Sequence, residues 1–450
     1  MDSRITALEI LNQLDNSDKT LDILLDHAHQ KKKFAYKKDR ALLQAIVFGV
    51  LRQQKRLDWI IEHYSNIPII KINPIVLNIL RIGLFQIIYL DRIPVSASVN
   101  TSVDMTKMFA PVWTVKFVNA VLRNAASSFE SVPFPDPEKD IFESISVRKS
   151  FPKWLIHRWF ERFGKNETEA LCDAVNTIAP ITVRTNNLRT TREKLFKSLE
   201  SEVGEIWRTP VSADGISFLN PKSMISELIA FRLGWFQVQD EAAQLMTGLL
   251  EPHPKEAILD ACAGLGGKTG HIAQMMKNTG HLVAMDVEKG KLARLSEDMN
   301  RQFVSIVKTH IHDLNEPLRG KPYSVYDRIL LDAPCSGIGV LRRNPDAKWR
   351  TNPEDLEAYG KRQILFLDHL APAVKPGGIL VYGVCSFEPE ETDTVVKIFL
   401  EKHPEFTLDK PPQTMVELNS SLFSPQGYFR SFPHKHNMDG FFAARFLKIK

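Results

Sequence analysis

Two cysteines stand where a thiol can do chemistry. Cys335 lies in Asp332-Ala333-Pro334-Cys335-Ser336-Gly337, and Cys385 in Val384-Cys385-Ser386, with Glu388-Pro389-Glu390-Glu391 just beyond. Each follows an apolar run that reads as a strand, so both thiols sit at strand tips and face one crevice. Methylation at carbon 5 of a pyrimidine needs such a thiol, because that carbon is a poor nucleophile. A thiolate adding at carbon 6 turns the ring into an enamine that can attack a sulfonium methyl. A base then takes the carbon-5 proton and the thiol leaves. Asp332 is placed to hydrogen-bond the cytosine edge. The residues alone leave open which of the two thiols attacks.

A second cluster supplies the donor. After the strand 257–260 the chain reads Asp260-Ala261-Cys262-Ala263-Gly264-Leu265-Gly266-Gly267-Lys268-Thr269. Glycines let the backbone turn tightly and approach a ligand at the start of a helix. Asp286 ends the next strand and suits a ribose; Asp313 follows the third and suits an adenine amino group. The loop lacks the spacing of a triphosphate-binding loop, and a dinucleotide is second choice. A nucleoside without phosphates, S-adenosylmethionine, fits best. Cys262 packs in this loop, and Cys172 reads as a buried small hydrophobe.

These residues need a scaffold that brings strand ends together. Strands are expected at 257–260, 281–286, 304–310, 326–332 and 377–385. Helices are expected at 268–277, 288–300 and 353–371. Such alternation predicts an α/β Rossmann-like domain over 235–450, with ligands beyond the carboxyl ends of the strands. Residues 1–130 show helical apolar spacing throughout and read as all-α. The segment 131–150 opens with three prolines and reads as a linker. Residues 151–234 combine a helix at 152–175 with a small α+β, RRM-like unit.

The motifs carry a family resemblance. D-A-C-A-G-L-G-G-K-T, D-A-P-C-S-G and V-C-S followed by P-E-E are similar to the motifs of the Sun family of RNA 5-methylcytosine methyltransferases. R-T-N at 184–186, Q-D-E-A-A-Q-L at 239–245 and D-G-F-F at 439–442 also fit. D-R-A-L-L-Q-A-I-V-F-G-V-L-R and K-F-V-N-A-V-L-R-N resemble a NusB-like helical RNA-binding domain, as in the bacterial Fmu/Sun branch. The resemblance implies a class I methyltransferase acting on a cytosine of 16S ribosomal RNA. It assigns Cys385 as nucleophile, Cys335 to product release and Asp332 to cofactor or base. Cys262, Ala263, Gly264, Leu265, Gly266, Gly267, Lys268, Asp286, Asp313 and Asp332 would hold S-adenosylmethionine. Gly264-Leu265 stands where Ala-Pro is common, Val384 replaces the usual Thr, and Thr392 an Asn.

Two basic clusters suggest RNA contacts. Arg342, Arg343, Lys348 and Arg350 flank Trp349 just past the Cys335 motif. Lys31, Lys32 and Lys33 begin a ten-residue stretch with a net charge of +5, equal to that of the whole 450-residue chain. The remaining expectations are exclusions. No window approaches the roughly 18 apolar residues that cross a bilayer. No Cys-x-x-Cys pair suggests a thiolate metal site, and the two His-x-His pairs read as structural. Four scattered cysteines fit a reduced cytoplasmic protein. We expect a monomer with neither a membrane nor a DNA partner. The competing readings are an inert RNA-binding module, and an enzyme of the same chemistry acting on tRNA or DNA.

Overall fold

The computed structural model describes residues 3–17, 19–31, 37–318 and 325–449. The chain divides into two compact units: Met1–Thr177 with Arg343–Arg350, and Ile178–Arg342 with Thr351–Lys450.

The first unit is helical. It contains α1 (Ser3–Asn16), α2 (Leu21–Lys31), α3 (Lys37–Tyr64), α4 (Pro74–Tyr89), α5 (Val95–Phe109), α6 (Thr114–Ser128), α7 (Ile141–Lys149) and α8 (Lys153–Asn176). Asn73 caps α4 by accepting from Ile75 N–H, and Pro74 occupies its first turn, where no donor is missed. The rest of α4 is almost wholly apolar, and it packs among α1, α3, α5 and α6. Helix α7 falls inside the segment expected as a linker. The prolines Pro133, Pro135 and Pro137 are outside it, and Asp140 caps it through Glu143 N–H at 3.0 Å. Its apolar positions are too few for a helical period to show. Helix α8 matches the expected 152–175, with non-helical backbone at Gly164 (φ 77°), and falls in the first compact unit.

The second unit opens with β1 (Ile181–Thr185), α9 (Arg192–Glu200), β2 (Glu205–Arg208), β3 (Gly215–Leu219) and β4 (Phe236–Val238). They form an antiparallel sheet in the order β2-β3-β1-β4, the RRM-like arrangement. The larger sheet holds β5 (Ala257–Asp260), β6 (His281–Asp286), β7 (Val307–Ile311), β8 (Tyr326–Asp332), β9 (Val374–Val384), β10 (Phe406–Leu408), β11 (Phe429–Ser431) and β12 (Phe441–Lys448). Its order is β10-β12-β9-β8-β5-β6-β7, with β11 on β12. Strands β9-β8-β5-β6-β7 run parallel, and β12 turns antiparallel onto β9. Apolar clusters cover both faces of the sheet. The order reverses between β5 and β8, which opens a crevice beyond their carboxyl ends.

Candidate active site

The loop leaving β5 reaches the helix Gly267–Met275 through two left-handed glycines, Gly264 (φ 54°) and Gly266 (φ 86°). At Gly266 a Cβ would lie 2.6 Å from Leu295 Cγ, so only glycine fits. At Gly264 and Gly267 a Cβ would meet nothing. The loop therefore packs tightly on one side and leaves a bare backbone face on the other. Asp286, at the tip of β6, accepts Gly264 N–H at 3.0 Å and Glu288 N–H at 2.9 Å, fixing the rim of that face. Asp313 lies beyond β7, exposed, with its Oδ1 accepting Asn315 N–H.

Beneath the loop, burial raises the Asp260 carboxyl to about 7. Its Oδ2 accepts from Thr269 at 2.7 Å, while the buried Oδ1 has no partner. Cys262 borders the same loop, its thiol pushed up by burial and then by the carboxylates Asp332, Asp260 and Asp286. Arg184 of β1 is fully buried and donates to the Gly267 carbonyl at 2.8 Å, to Gln239 Oε1, and to Gln274 and Gln302. Burial lowers its guanidinium to about 10. Asn186 binds the carbonyls of Gly234 and Gln302, both at 2.9 Å. The R-T-N and Q-D-E-A-A-Q-L motifs thus brace the glycine loop from below, a role that the sequence reading did not assign.

The two thiols meet. Cys335 Sγ and Cys385 Sγ are 3.1 Å apart. Asp332 pairs with Gly383 across β8 and β9, which sets the two following loops side by side. Gly339 N–H donates to the Cys385 carbonyl at 2.9 Å, and Gly440 N–H to the Gly339 carbonyl at 2.8 Å. A Cβ on Gly339 would fall 1.9 Å from the Gly440 carbonyl oxygen. A side chain at Gly339 would thus meet the backbone of Gly440, the glycine of the D-G-F-F motif, and its absence lets three backbones close around Cys385. Lys268 Nζ sits 2.5 Å from Asp332 Oδ2 and 5.3 Å from the Phe441 ring centroid. Burial pulls the Lys268 ammonium down, but Asp332 outweighs it and the net shift is upward. Lys268 stays charged and links the glycine loop to the Cys335 loop.

Glu391 has no role that the sequence motif assigns. It is buried and accepts Ser336 N–H at 2.8 Å, Ser336 Oγ at 2.6 Å, Ser386 Oγ at 2.6 Å and Gln363 Nε2 at 3.3 Å. The signal was the doublet Cys-Ser, repeated at 335–336 and 385–386. Beside this site lies a cavity of about 430 Å³ whose lining includes Phe423, Arg430, Phe432, Lys435 and His436. The Phe432 ring packs on Phe387, two residues past Cys385.

In the basic loop 342–350, expected to contact RNA, Lys348 is not at the surface. Lys348 is buried, with Nζ donating to the carbonyls of Arg52 at 2.9 Å and Ser150 at 2.7 Å and lying 3.4 Å from Asn176 Oδ1. Trp349 donates to the Leu51 carbonyl at 2.7 Å, and Arg350 to the Lys19 carbonyl at 2.5 Å. These contacts lie within the helical unit; they commit the Lys348 ammonium to backbone carbonyls, while Trp349 and Arg350 stay partly exposed. Arg342 is buried against Asn437 and Ile178, and Arg343 is half-buried. Lys32, Lys33 and the side chain of Lys31 lie outside the described residues. Cys172 is buried in the helical unit, where burial pushes its thiol up.

A parallel sheet with a bare glycine loop at its switch point and paired thiols at neighbouring tips is the framework of a methyltransferase. Family models match along the chain: NusB family over residues 1–127, the ferredoxin-like domain of the RsmF/B-like methyltransferases over 151–224, and 16S rRNA methyltransferase RsmB/F over 247–447. A probable ribosomal RNA small subunit methyltransferase B of Synechocystis is 35% identical over 99% of both chains. One of Bacillus subtilis is 32% identical over 99% of this chain and 98% of its own. The crystal structure of PH0851 superposes with a TM-score of 0.83 at 26% identity, covering 99% of this chain and 98% of that one. NSun6 from Pyrococcus horikoshii with SFG gives 0.59 at 25% identity, covering 67% of this chain and 99% of that one. The chain belongs to the 16S rRNA methyltransferase RsmB/F family. It is an S-adenosylmethionine-dependent methyltransferase of small-subunit ribosomal RNA.

The residues present fit that cofactor. The bare face at Gly264 and Gly267 leaves room for it, and Asp286 and Asp313 stand at adjacent strand tips. Gly266→Ala would press a Cβ on Leu295 in a left-handed backbone. We expect its Kd for S-adenosylmethionine to rise about tenfold or more by calorimetry, with RNA affinity unchanged. An unchanged cofactor Kd would refute the assignment of this loop.

Proposed function

We propose that the chain methylates carbon 5 of a cytosine in 16S ribosomal RNA through a bond between Cys385 and carbon 6. The observation that carries this is the pair of thiols, 3.1 Å apart, at strand tips beside the glycine loop. S-adenosylmethionine, when bound, supplies an electrophilic methyl group as a sulfonium. Cys385 thiolate adds to carbon 6, and the ring's electron pair moves toward carbon 5 and the N3 edge. Asp332, held by Lys268, accepts hydrogen bonds from that edge and keeps the base in register. Carbon 5 takes the methyl group as the methyl–sulfonium bond breaks and its electron pair stays on that sulfur, which leaves as a neutral thioether; the carbon-5 proton then goes to a base, and the carbon 6–Cys385 sulfur bond breaks with its electrons returning to Cys385. Cys335 stays protonated, because its hydrogen bond to Cys385, burial and then nearby charge all push its thiol well up. It can donate to the departing sulfur and ease release.

With the Lys348 ammonium committed to carbonyls of the helical unit, other groups near the thiols are candidates for phosphate contacts. Lys435 and Arg430, beside the Phe432 ring in the neighbouring cavity, have the chemistry to flank an unpaired base. The experiment is a transfer assay with labelled S-adenosylmethionine on protein-free 16S RNA, assembled 30S subunits, tRNA and duplex DNA. Label should appear as 5-methylcytidine in 16S RNA, free or assembled. Label in another nucleoside, or in tRNA or DNA alone, would overturn the proposal.

A further inference from the structure

We infer that Glu391 is the positioning residue that gives the two thiols different tasks, by tying the residue after each cysteine to one buried carboxylate. The inference rests on the covalent reading above.

Two thiols at contact distance are chemically alike unless their surroundings differ. Here Ser336 and Ser386, each directly after a cysteine, both donate to Glu391 Oε2 at 2.6 Å. Ser336 adds its backbone N–H to Oε1 at 2.8 Å, and Gln363 Nε2 reaches the same oxygen at 3.3 Å. The Glu391 backbone is itself fixed, since its carbonyl accepts from Tyr382 Oη at 2.6 Å and Tyr382 also bonds Gln363 Oε1 at 2.8 Å. One acid thus sets both loops and so the spacing of the two sulfurs. Its attachment is unequal, with two bonds to the Cys335 side and one to the Cys385 side. None of its hydrogen-bond partners is a cation; burial pushes its carboxyl up, and the hydrogen bonds from Ser336, Ser386 and Gln363 pull it back toward the charged form. Glu391 is among the charges that push the Cys335 thiol up. A protonated Cys335 cannot compete for carbon 6 and is available as a donor to Cys385, which leaves attack to the other sulfur.

Charge and geometry separate experimentally. Glu391→Gln keeps the shape, since an amide oxygen can accept Ser336 N–H and its nitrogen can donate to the serine hydroxyls, which can turn. Glu391→Ala loses both. Thiol reactivity with iodoacetamide against pH, measured in a Cys385→Ser background, reads Cys335 without any methyl transfer. We expect Glu391→Gln to lower the Cys335 midpoint by about one pH unit. In the otherwise native enzyme, Glu391→Ala should lose roughly hundredfold in kcat, with its KM for S-adenosylmethionine within about twofold. Glu391→Gln should recover most of that loss. An unmoved Cys335 midpoint in the Gln variant would overturn the charge role. A kcat for the Ala variant within about threefold of wild type would overturn the positioning role. A moved midpoint in a protein that makes no 5-methylcytidine would leave the Glu391 effect standing and overturn the proposed reaction instead.

Discussion

Cys385→Ala will transfer no methyl group, with a loss of at least about a thousandfold, while Cys335→Ala will accumulate bound to RNA. On the proposed mechanism, the asymmetry follows from different roles for two sulfurs that lie 3.1 Å apart. Without Cys385 no bond to carbon 6 forms, and carbon 5 stays unreactive. Without Cys335 the bond forms, but the departing sulfur has lost its nearest donor, so the adduct persists. A denaturing gel of enzyme with 16S RNA and S-adenosylmethionine separates the cases. The Cys335→Ala variant should give a slow-migrating RNA–protein band, and the Cys385→Ala variant and the double variant none. The reverse pattern would make Cys335 the nucleophile. Near-normal turnover by Cys385→Ala would remove the covalent mechanism.

The second large effect is on stability. Burial lowers the Lys348 ammonium from an ordinary value near 10.5 to about 7. The nearby Arg52 charge opposes the charged form as well. The folded value lies below the unfolded one, so between pH 7 and 10.5 the unfolded chain holds more protons. Stability therefore rises with pH through that window and falls on return to pH 7. At about 1.4 kcal/mol per unit, the gain between pH 7 and pH 10 is roughly 3–4 kcal/mol. Lys348→Met removes the titration but leaves the carbonyls of Arg52 and Ser150 without their donor, at a cost of about 1–3 kcal/mol. We expect the Met variant to match or exceed wild type at pH 7 and to fall behind it at pH 10. Urea unfolding of both proteins across this range, followed by tryptophan fluorescence, measures the difference. Parallel pH curves would mean that Lys348 is not held near neutrality.

The sequence shows the catalytic sheet well because each of its features is local. Apolar runs end in Asp260, Asp286, Asp332 and Val384, and glycine and proline mark the turns that follow. The two thiols could be placed at tips for the same reason. What pairs over long separations stays hidden. Lys348 finds its acceptors at residues 52 and 150, so a side chain that reads as an exposed cation is an internal one. Glu391 meets Ser336 across 55 positions, and nothing in P-E-E announces that partner. Arg184 reaches the glycine loop from a different sheet. Helix α7 was hidden differently, since prolines beside it dominate a window that a nine-residue helix cannot outweigh.

The segment Arg343–Arg350 also sets an order of events during synthesis. The helical unit counts these eight residues among its own, although they follow Thr177 by some 165 positions in the chain. A ribosome releasing this protein therefore exposes an N-terminal bundle that lacks Lys348 and Trp349 until most of the sheet has been made. The bundle can collapse early, but its final packing waits for a distant stretch of the message. For the same reason, a fragment ending at residue 177 is not the helical unit but that unit with a piece missing, and supplying residues 343–350 as a separate peptide is the natural way to complete it.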